Sequence, residues 1–311
     1  MKVGFIGLGG IGKPIAINIA KSGFDLMVTD LREKPLKELE QYGARVAGDA
    51  REVSEASDLV LASLPSNSAS EEVALGPNGV LAGAKSGDIY VELSTISPEV
   101  VHTIAEKASD KGVAMLDAPV SGGLYQRQEG TLSIMVGGDT KTVAKAMPVF
   151  RAFGDRIFHA GESGAGASVK LVNNMLAGIN MVATMEALVL GVKAGLSVQT
   201  LKEVISASSG DNKVFEGLVD KISLHSAEPP HGQIANQGLH TIGKDVRLAN
   251  EMAQNLSVPL ALGSAALQPF LAGLANGWAD KEYWAIMEFF EQESGVRVRP
   301  LELTDLEGKK R

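Results

Sequence analysis

The sequence contains no cysteine. Thiolate zinc sites, cysteine nucleophiles, iron–sulfur ligation and a disulfide framework are excluded together. Histidine is scarce, with His102, His159, His225, His231 and His240 scattered through the second and third hundred residues. No HExxH or other close pair occurs, so no catalytic metal is expected. Positive charge is short too: 29 Lys and Arg stand against 37 Asp and Glu, for a net charge of −8. That balance speaks against a nucleic-acid footprint and for a soluble, cytoplasmic protein. A long apolar run is also missing. The uncharged stretch from Met252 to Ala279 is interrupted by Pro259, Gly263, Gln268, Pro269, Asn276 and Gly277. A membrane span needs about 20 apolar residues, so the expectation is a buried helix pair broken at the prolines, and no membrane partner. The opening Met1-Lys2-Val3-Gly4-Phe5-Ile6 does not read as a signal peptide. Glycine runs the other way, at 35 of 311 residues, against a usual share of about 7%. Chemistry must come from Lys, Ser, Thr, Asn, carboxylates, backbone amides or a borrowed cofactor.

At roughly 150 residues per domain the length suggests two domains. In the first half, Val3–Ile6, Asp25–Thr29, Leu59–Leu64, Ile89–Leu93 and Val113–Asp117 are short apolar runs ending in turn residues. Such runs read as strands buried on both faces. Amphipathic stretches such as Glu33–Tyr42 and Pro98–Lys111 lie between them. The alternation implies right-handed crossovers and an α/β, doubly wound parallel sheet, with Leu132–Val136 and Arg156–His159 as further strands. From Ala167 to Ala194 a proline-free helical pattern is apolar on nearly every side. At about 1.5 Å per residue it spans some 40 Å, and it is expected to be buried all round, by an all-α domain, a partner subunit, or both. Helical patterns continue at Ser197–Ser206, Leu239–Leu256, Pro259–Gly277 and Tyr283–Glu293. The expected division is a dinucleotide-binding domain over 1–164, an all-helical substrate and dimerisation domain over 165–295, and a charged tail over 296–311.

Gly7-Leu8-Gly9-Gly10-Ile11-Gly12 follows the first strand and opens a helix. In that context GxGxxG fits a dinucleotide pyrophosphate. The first glycine makes the turn, the second admits the phosphates and the third packs helix on strand. Asp30 closes the second strand, where an acid accepts a ribose 2′-hydroxyl and favours NAD; Arg32, just beyond it, suits NADP instead. Gly7 to Lys13 also matches the start of a triphosphate loop, but Pro14 has no hydroxyl for magnesium. A glycine-rich turn without a ligand is the plain alternative.

An alcohol-oxidising nicotinamide enzyme needs a general base. No Tyr-x-x-x-Lys occurs at Tyr42, Tyr90, Tyr125 or Tyr283. Lys170 remains, at the start of the long helix, with Asn174 one turn further on the same face. A free lysine titrates near 10.4 and would need burial or a cationic neighbour to act as a base; a lysine reaching out from a buried helix is the structural alternative. Asp117-Ala118-Pro119-Val120-Ser121-Gly122-Gly123 offers a hydroxyl and amides as a carboxylate cradle, or simply a tight turn.

Taken in order, these motifs resemble the β-hydroxyacid dehydrogenase family, of the 3-hydroxyisobutyrate dehydrogenase and tartronate semialdehyde reductase kind. The resemblance runs from Val3 to about Phe290 through Gly7–Gly12, Leu64-Pro65, Glu92-Leu93-Ser94-Thr95-Ile96, Asp117–Gly123 with Gly130-Thr131-Leu132, Gly164-Ala165-Gly166 with Lys170, Asn173 and Asn174, and Lys244-Asp245. It implies a Rossmann-type domain followed by an all-α domain joined by one long helix, assembled as a homodimer or homotetramer. It implies that Lys170 is the general acid/base, that Ser121, Gly122, Gly123 and Asn174 hold the substrate, and that Leu64, Pro65, Thr95 and Lys244 contact NAD, with NADP possible. The implied reaction interconverts a small 3-hydroxy acid and its semialdehyde. An NADPH-dependent imine reductase of the same fold, which generally lacks this lysine, and a non-catalytic NAD-binding module are the alternatives. One departure stands out. Leu124-Tyr125-Gln126-Arg127-Gln128-Glu129 replaces small residues, with Arg127 where alanine is typical. It is read either as a cation for a second anionic substrate group or as a solvent-facing helix start. Trp278, Tyr283 and Trp284 are read as core rather than as a pocket lid.

Overall fold

The computed structural model describes residues 1–224 and 238–298. His225, His231 and most of the expected tail lie outside the described residues. The chain forms two compact units, Met1–Val172 and Asn173–Arg311.

The first unit is built on one nine-stranded sheet. Its strands are β1 (Lys2–Ile6), β2 (Asp25–Thr29), β3 (Arg45–Val46), β4 (Leu59–Ala62), β5 (Ile89–Glu92), β6 (Ala114–Asp117), β7 (Val120–Ser121), β8 (Leu132–Gly137) and β9 (Gly154–Gly161). The first six lie parallel in the order β3-β2-β1-β4-β5-β6. The helices between strands are α1 (Gly12–Lys21), α2 (Glu33–Glu40), α3 (Ala50–Glu55), α4 (Asn67–Leu75), α5 (Val80–Gly83), α6 (Pro98–Asp110), α7 (Leu124–Glu129) and α8 (Thr140–Phe150). Both faces of the sheet carry core. Leu59 and Leu61 of β4 join one apolar cluster, while Val60 and Ala62 join the other, as period-two alternation dictates. This is why the strands read as continuous apolar runs.

The sheet is not parallel throughout. β6 and β7 both pair antiparallel with β8, and β9 then runs parallel to β8. A parallel return needs a crossover of a dozen or more residues. Between β7 and β8 there is only the six-residue α7, so the chain turns back beside the strand it left. The expectation for Leu132–Val136 and Arg156–His159 is corrected in direction, though both are strands of this sheet.

The long helix, α9 (Ala165–Lys193), is followed by α10 (Val198–Ser206), α11 (Lys213–Leu224), α12 (Leu239–Asn255), α13 (Ala261–Ala275), a 3₁₀ turn (Tyr283–Ile286) and α14 (Met287–Ser294). In the second unit Met185, Leu188, Leu218, Val246, Phe270 and Ile286 are fully buried. A Cβ on Gly178 would fall 2.5 Å from Val246 Cγ2, so glycine lets α9 and α12 approach closely. Tyr283 and Trp284 stack edge to face inside this core, and Trp278 packs against it.

By length and apolarity alone α9 would suit a membrane span. The chain itself covers only part of its surface, leaving Val169, Val172, Leu176 and Leu190 exposed. The expected breaks at the prolines need correction. The break in the 252–279 stretch comes at 256–260, and Pro269 lies inside α13. A proline there removes one N–H from the helix ladder without ending it. Nor is α13 buried throughout, since Leu262 and Leu271 are exposed.

Candidate active site

In a doubly wound sheet, ligands gather beyond the C-terminal ends of the strands where the strand order reverses. Here that reversal lies between β1 and β4. The Gly7–Gly12 turn leaves the end of β1, Asp30 that of β2, Leu64-Pro65 that of β4 and Thr95 that of β5. The strand ends thus collect four of the candidate cofactor segments at one edge.

The glycines divide into two kinds. Gly7 has φ +87°, and a Cβ there would strike Ser63 O at 2.4 Å. At Gly12 it would sit 2.0 Å from Gly7 O and 3.0 Å from Phe5 Cε1. At Gly9 and Gly10 it would meet nothing within 4 Å. Packing within the protein demands the first and last glycines, whereas the middle two border open space, as a backbone cradle for phosphate requires. Leu8 is buried, and Ile11 is partly buried at the start of α1. Lys13, the lysine of the rival triphosphate reading, is 2.6 Å from Glu38 Oε2. Its charge is engaged on α2.

Asp30 is tied on both oxygens. Oδ2 accepts from Leu8 N at 2.6 Å, and Oδ1 from Arg32 N at 2.9 Å. The Arg32 guanidinium adds Nε to Oδ1 at 2.9 Å and Nη2 to Oδ2 at 3.0 Å. Burial pushes the Asp30 carboxyl up, but the hydrogen bonds from Arg32 and Leu8 outweigh it and hold it below the usual range.

A buried carboxylate that belongs to one of the resemblance blocks, but had no role there, lies beneath the next two candidate cofactor segments. Glu92, fully buried at the end of β5, accepts from Tyr90 Oη at 2.9 Å and from Ser94 N at 2.9 Å. The Ser94 hydroxyl also bonds this carboxylate and accepts from Leu64 N at 2.7 Å. Glu92 thereby links the segment after β4 to the segment after β5, just before Thr95. Burial pushes Glu92 up from the ordinary glutamate value, against hydrogen bonds from Ser94 and Tyr90.

Asp117 performs the same service for Lys170. Buried at the end of β6, it accepts from Gly164 N at 2.8 Å and Ala167 N at 2.7 Å. The carboxylate caps the first turn of α9, whose free N–H groups carry partial positive charge. Burial raises the Asp117 carboxyl, with those backbone bonds opposing it. A Cβ on Gly166 would lie 2.3 Å from Met135 O, so this turn sits hard against the sheet. Lys170, on the following turn, is 8% exposed. The lysine reaching into solvent is not what the structure shows.

Ser121 lies in β7 opposite Ser133. A Cβ on Gly122 would fall 2.5 Å from Leu132 Cδ2. The N–H of Gly123 donates to Gln126 Oε1 at 3.0 Å, so that amide is already engaged. Arg127 itself is 9% exposed, so its side chain does not face solvent, and its Nη1 lies 3.5 Å from Gly10 O of the glycine turn. The exposed residues of α7 are Leu124, Tyr125, Gln128 and Glu129.

In the second unit, Asn174 Nδ2 donates to Asp245 Oδ2 at 2.6 Å, and Asn174 Oδ1 accepts from Asn173 Nδ2 at 3.0 Å. Lys244 Nζ stands 2.9 Å from Asp245 Oδ1, an ion pair without hydrogen-bond alignment. Asp245 connects the two site candidates of this unit. Its adjacency to Lys244 was visible in the sequence, but its grip on Asn174, 71 residues away, was not.

A family model described as the NAD binding domain of 6-phosphogluconate dehydrogenase matches residues 2–161. A second, described as the NAD-binding domain of NADP-dependent 3-hydroxyisobutyrate dehydrogenase, matches residues 164–290. The chain is 40% identical to 2-(hydroxymethyl)glutarate dehydrogenase of Eubacterium barkeri, over 96% of this chain and 97% of that one. It is 37% identical to NAD-dependent L-serine dehydrogenase of Pseudomonas aeruginosa, over 94% and 99%. A solved structure of 3-hydroxyisobutyrate dehydrogenase from Mycobacterium tuberculosis with L-serine superposes with a TM-score of 0.82 at 29% identity, over 93% and 98%. These whole-length relatives are hydroxyacid dehydrogenases, which sets aside the imine reductase and the non-catalytic module. With a nicotinamide-cofactor fold in place and the lysine, glycine and asparagine motifs in order, the chain belongs to the β-hydroxyacid dehydrogenase family.

Proposed function

We propose that this NAD(P)-dependent dehydrogenase interconverts a small 3-hydroxy acid and its semialdehyde, with Lys170 as the general acid/base. The observation that carries the reading is a lysine buried on the first turns of a helix whose N-terminus is capped by the buried Asp117. Placed there, the lysine can present one nitrogen to a bound hydroxyl, as a general acid/base requires. The open space beside Gly9 and Gly10 fits a dinucleotide pyrophosphate held by Gly7, Leu8, Gly9, Gly10, Ile11 and Gly12. Bound there, the cofactor supplies the hydride acceptor.

The protein's own groups do the rest. Lys170 Nζ takes the hydroxyl proton during oxidation and returns it during reduction. Ser121, Gly122 and Gly123 receive the substrate carboxylate, with Gln126 giving up the Gly123 amide. Asn174, its amide oriented by Asp245, holds the substrate hydroxyl. Leu64, Pro65 and Thr95 line the nicotinamide side, and Lys244 reaches the cofactor by leaving Asp245. Asp30 accepts the adenosine ribose and makes NAD the preferred cofactor.

Residues 1–164 form the cofactor domain and 165–295 the substrate and dimerisation domain in this reading. The exposed apolar residues Val169, Val172 and Leu176 on α9 support a homodimer or homotetramer. The enzyme is cytoplasmic and acts on small molecules, with neither nucleic acid nor membrane as partner. Lys170→Ala should lower turnover by about a hundredfold to ten-thousandfold, the usual worth of a general acid/base, while NAD affinity stays nearly intact. A panel of 3-hydroxyisobutyrate, glycerate, serine, threonate and sulfonated analogues defines the substrate. Full activity in the Lys170 variant would sink the mechanism.

A further inference from the structure

The cationic side chains buried among the described residues are those of Arg127 and Lys170. Lys170 has a place in the chemistry proposed above; Arg127 has none. Burying a guanidinium costs several kcal/mol before any compensation, so its position calls for a physical account.

The backbone around Arg127 is pinned to the helix that the glycine turn opens. Asn18, buried on α1, donates from Nδ2 to Arg127 O at 2.9 Å. Gly130 ends α7 in the left-handed conformation, φ 70° and ψ 30°, and a Cβ there would reach 3.0 Å from Ala152 O and 3.4 Å from Asn18 Nδ2. α7 is therefore fixed against α1, and the Arg127 side chain has one direction to take. It runs to the glycine turn, where Nη1 stands 3.5 Å from Gly10 O. Gly10 is one of the two glycines whose Cβ position is open. A buried positive charge thus lies beside the glycine turn.

We propose that Arg127 is a cofactor-binding residue, whose guanidinium steadies the glycine turn through Gly10 and attracts the dinucleotide pyrophosphate. The inference rests on the cofactor role proposed for Gly7–Gly12. Arginine suits the task because its planar fork can keep one N–H on a carbonyl while presenting others to phosphate oxygens. It supplements backbone N–H groups, which bind phosphate at a helix N-terminus through partial charges only.

The test is equilibrium binding, without turnover, of NAD, ADP-ribose and adenosine to the full-length protein, to Arg127→Met and to Arg127→Lys. ADP-ribose carries the pyrophosphate and adenosine does not. Arg127→Met should weaken NAD and ADP-ribose about tenfold or more, the worth of a charge-assisted hydrogen bond, and leave adenosine unchanged. Arg127→Lys should keep most of the affinity. The difference between wild type and Arg127→Met should shrink as salt rises. An equal loss for adenosine, or no loss for ADP-ribose, overturns the proposal. If Arg127→Met does not fold, Arg127→Lys compared with Arg127→Gln decides it, since lysine keeps the positive charge and glutamine removes it. Failure of the wild type to bind ADP-ribose would instead overturn the cofactor role of the glycine turn.

Discussion

Asp30 and Arg32 hold each other through two parallel hydrogen bonds, Nε to Oδ1 at 2.9 Å and Nη2 to Oδ2 at 3.0 Å. With Leu8 N and Arg32 N added, four donors converge on one carboxylate, which offers about four acceptor positions. A ribose hydroxyl can bond Asp30 only by displacing a donor. The Arg32 side chain is 51% exposed and that of Asp30 only 7%, so Arg32 is the group that moves.

In the proposed cofactor role of Asp30, the choice between NAD and NADP is a competition between the two residues. Asp30→Ser removes the ribose acceptor and frees Arg32 for a 2′-phosphate; it should raise the NADP-over-NAD ratio of kcat/KM about tenfold or more. Arg32→Gln removes the competitor and should move the ratio the other way. Using a ratio cancels any general loosening of the glycine turn, where Leu8 N also loses its acceptor. Movement in the same direction for both variants would refute the competition.

Gly9 and Gly12 should fail for different reasons. Gly12→Ala forces a methyl to 2.0 Å from Gly7 O, so the turn must shift. Overpacking of this kind costs about 1–3 kcal/mol or more. Gly9→Ala meets no protein atom and should retain the wild-type unfolding curve. Its methyl enters the space assigned to phosphate, so NAD affinity should drop about tenfold or more. Denaturation and NAD titration of both variants separate the effects. Unchanged NAD affinity in a well-folded Gly9→Ala protein would remove the pyrophosphate from this turn.

Glu92 gives stability a pH dependence of calculable sign. Its carboxyl is raised in the folded protein by burial, so between the ordinary glutamate value near 4.3 and the folded value the folded chain binds more protons than the unfolded chain. Stability then falls as pH rises through that window. Glu92→Gln removes this slope, so its unfolding free energy should gain on that of wild type from pH 4 to pH 8. The KM for NAD should rise in the variant, because the Leu64 and Ser94 segments lose their shared carboxylate. Urea titrations at several pH values measure the slope. A constant offset between the two proteins across that range would contradict the assignment.

The local features of the fold were legible in the sequence. Both-face burial leaves continuous apolar strands, and the glycine turn announces itself because backbone contact with phosphate excludes side chains at fixed spacing. Lys170 and Asn174 were legible as one-turn neighbours because helix geometry is local. The reversal of β8 was not, since its direction depends on the short path through α7 and on pairing partners distant along the chain. Which flank of α9 the chain itself covers was not legible for a related reason. A helix apolar on all sides does not specify which residues the remainder of the chain will cover.

The side-chain linkages were set by tertiary structure. Asp117 could have served any turn after β6, and only the return of the chain at Gly164–Ala167 makes it the cap of α9. The sequence alone did not show that Asn18 holds the Arg127 carbonyl on α1 or that the buried guanidinium lies 3.5 Å from Gly10 O. By itself the sequence determined which chemistry was excluded: with no thiol and no paired histidines, lysine, hydroxyl, amide and carboxylate groups or a borrowed cofactor remained. Tertiary structure decided which carboxylates position that machinery and where the buried charges lie. Burial and long-range hydrogen bonding are properties of the folded chain, and no local pattern encodes them.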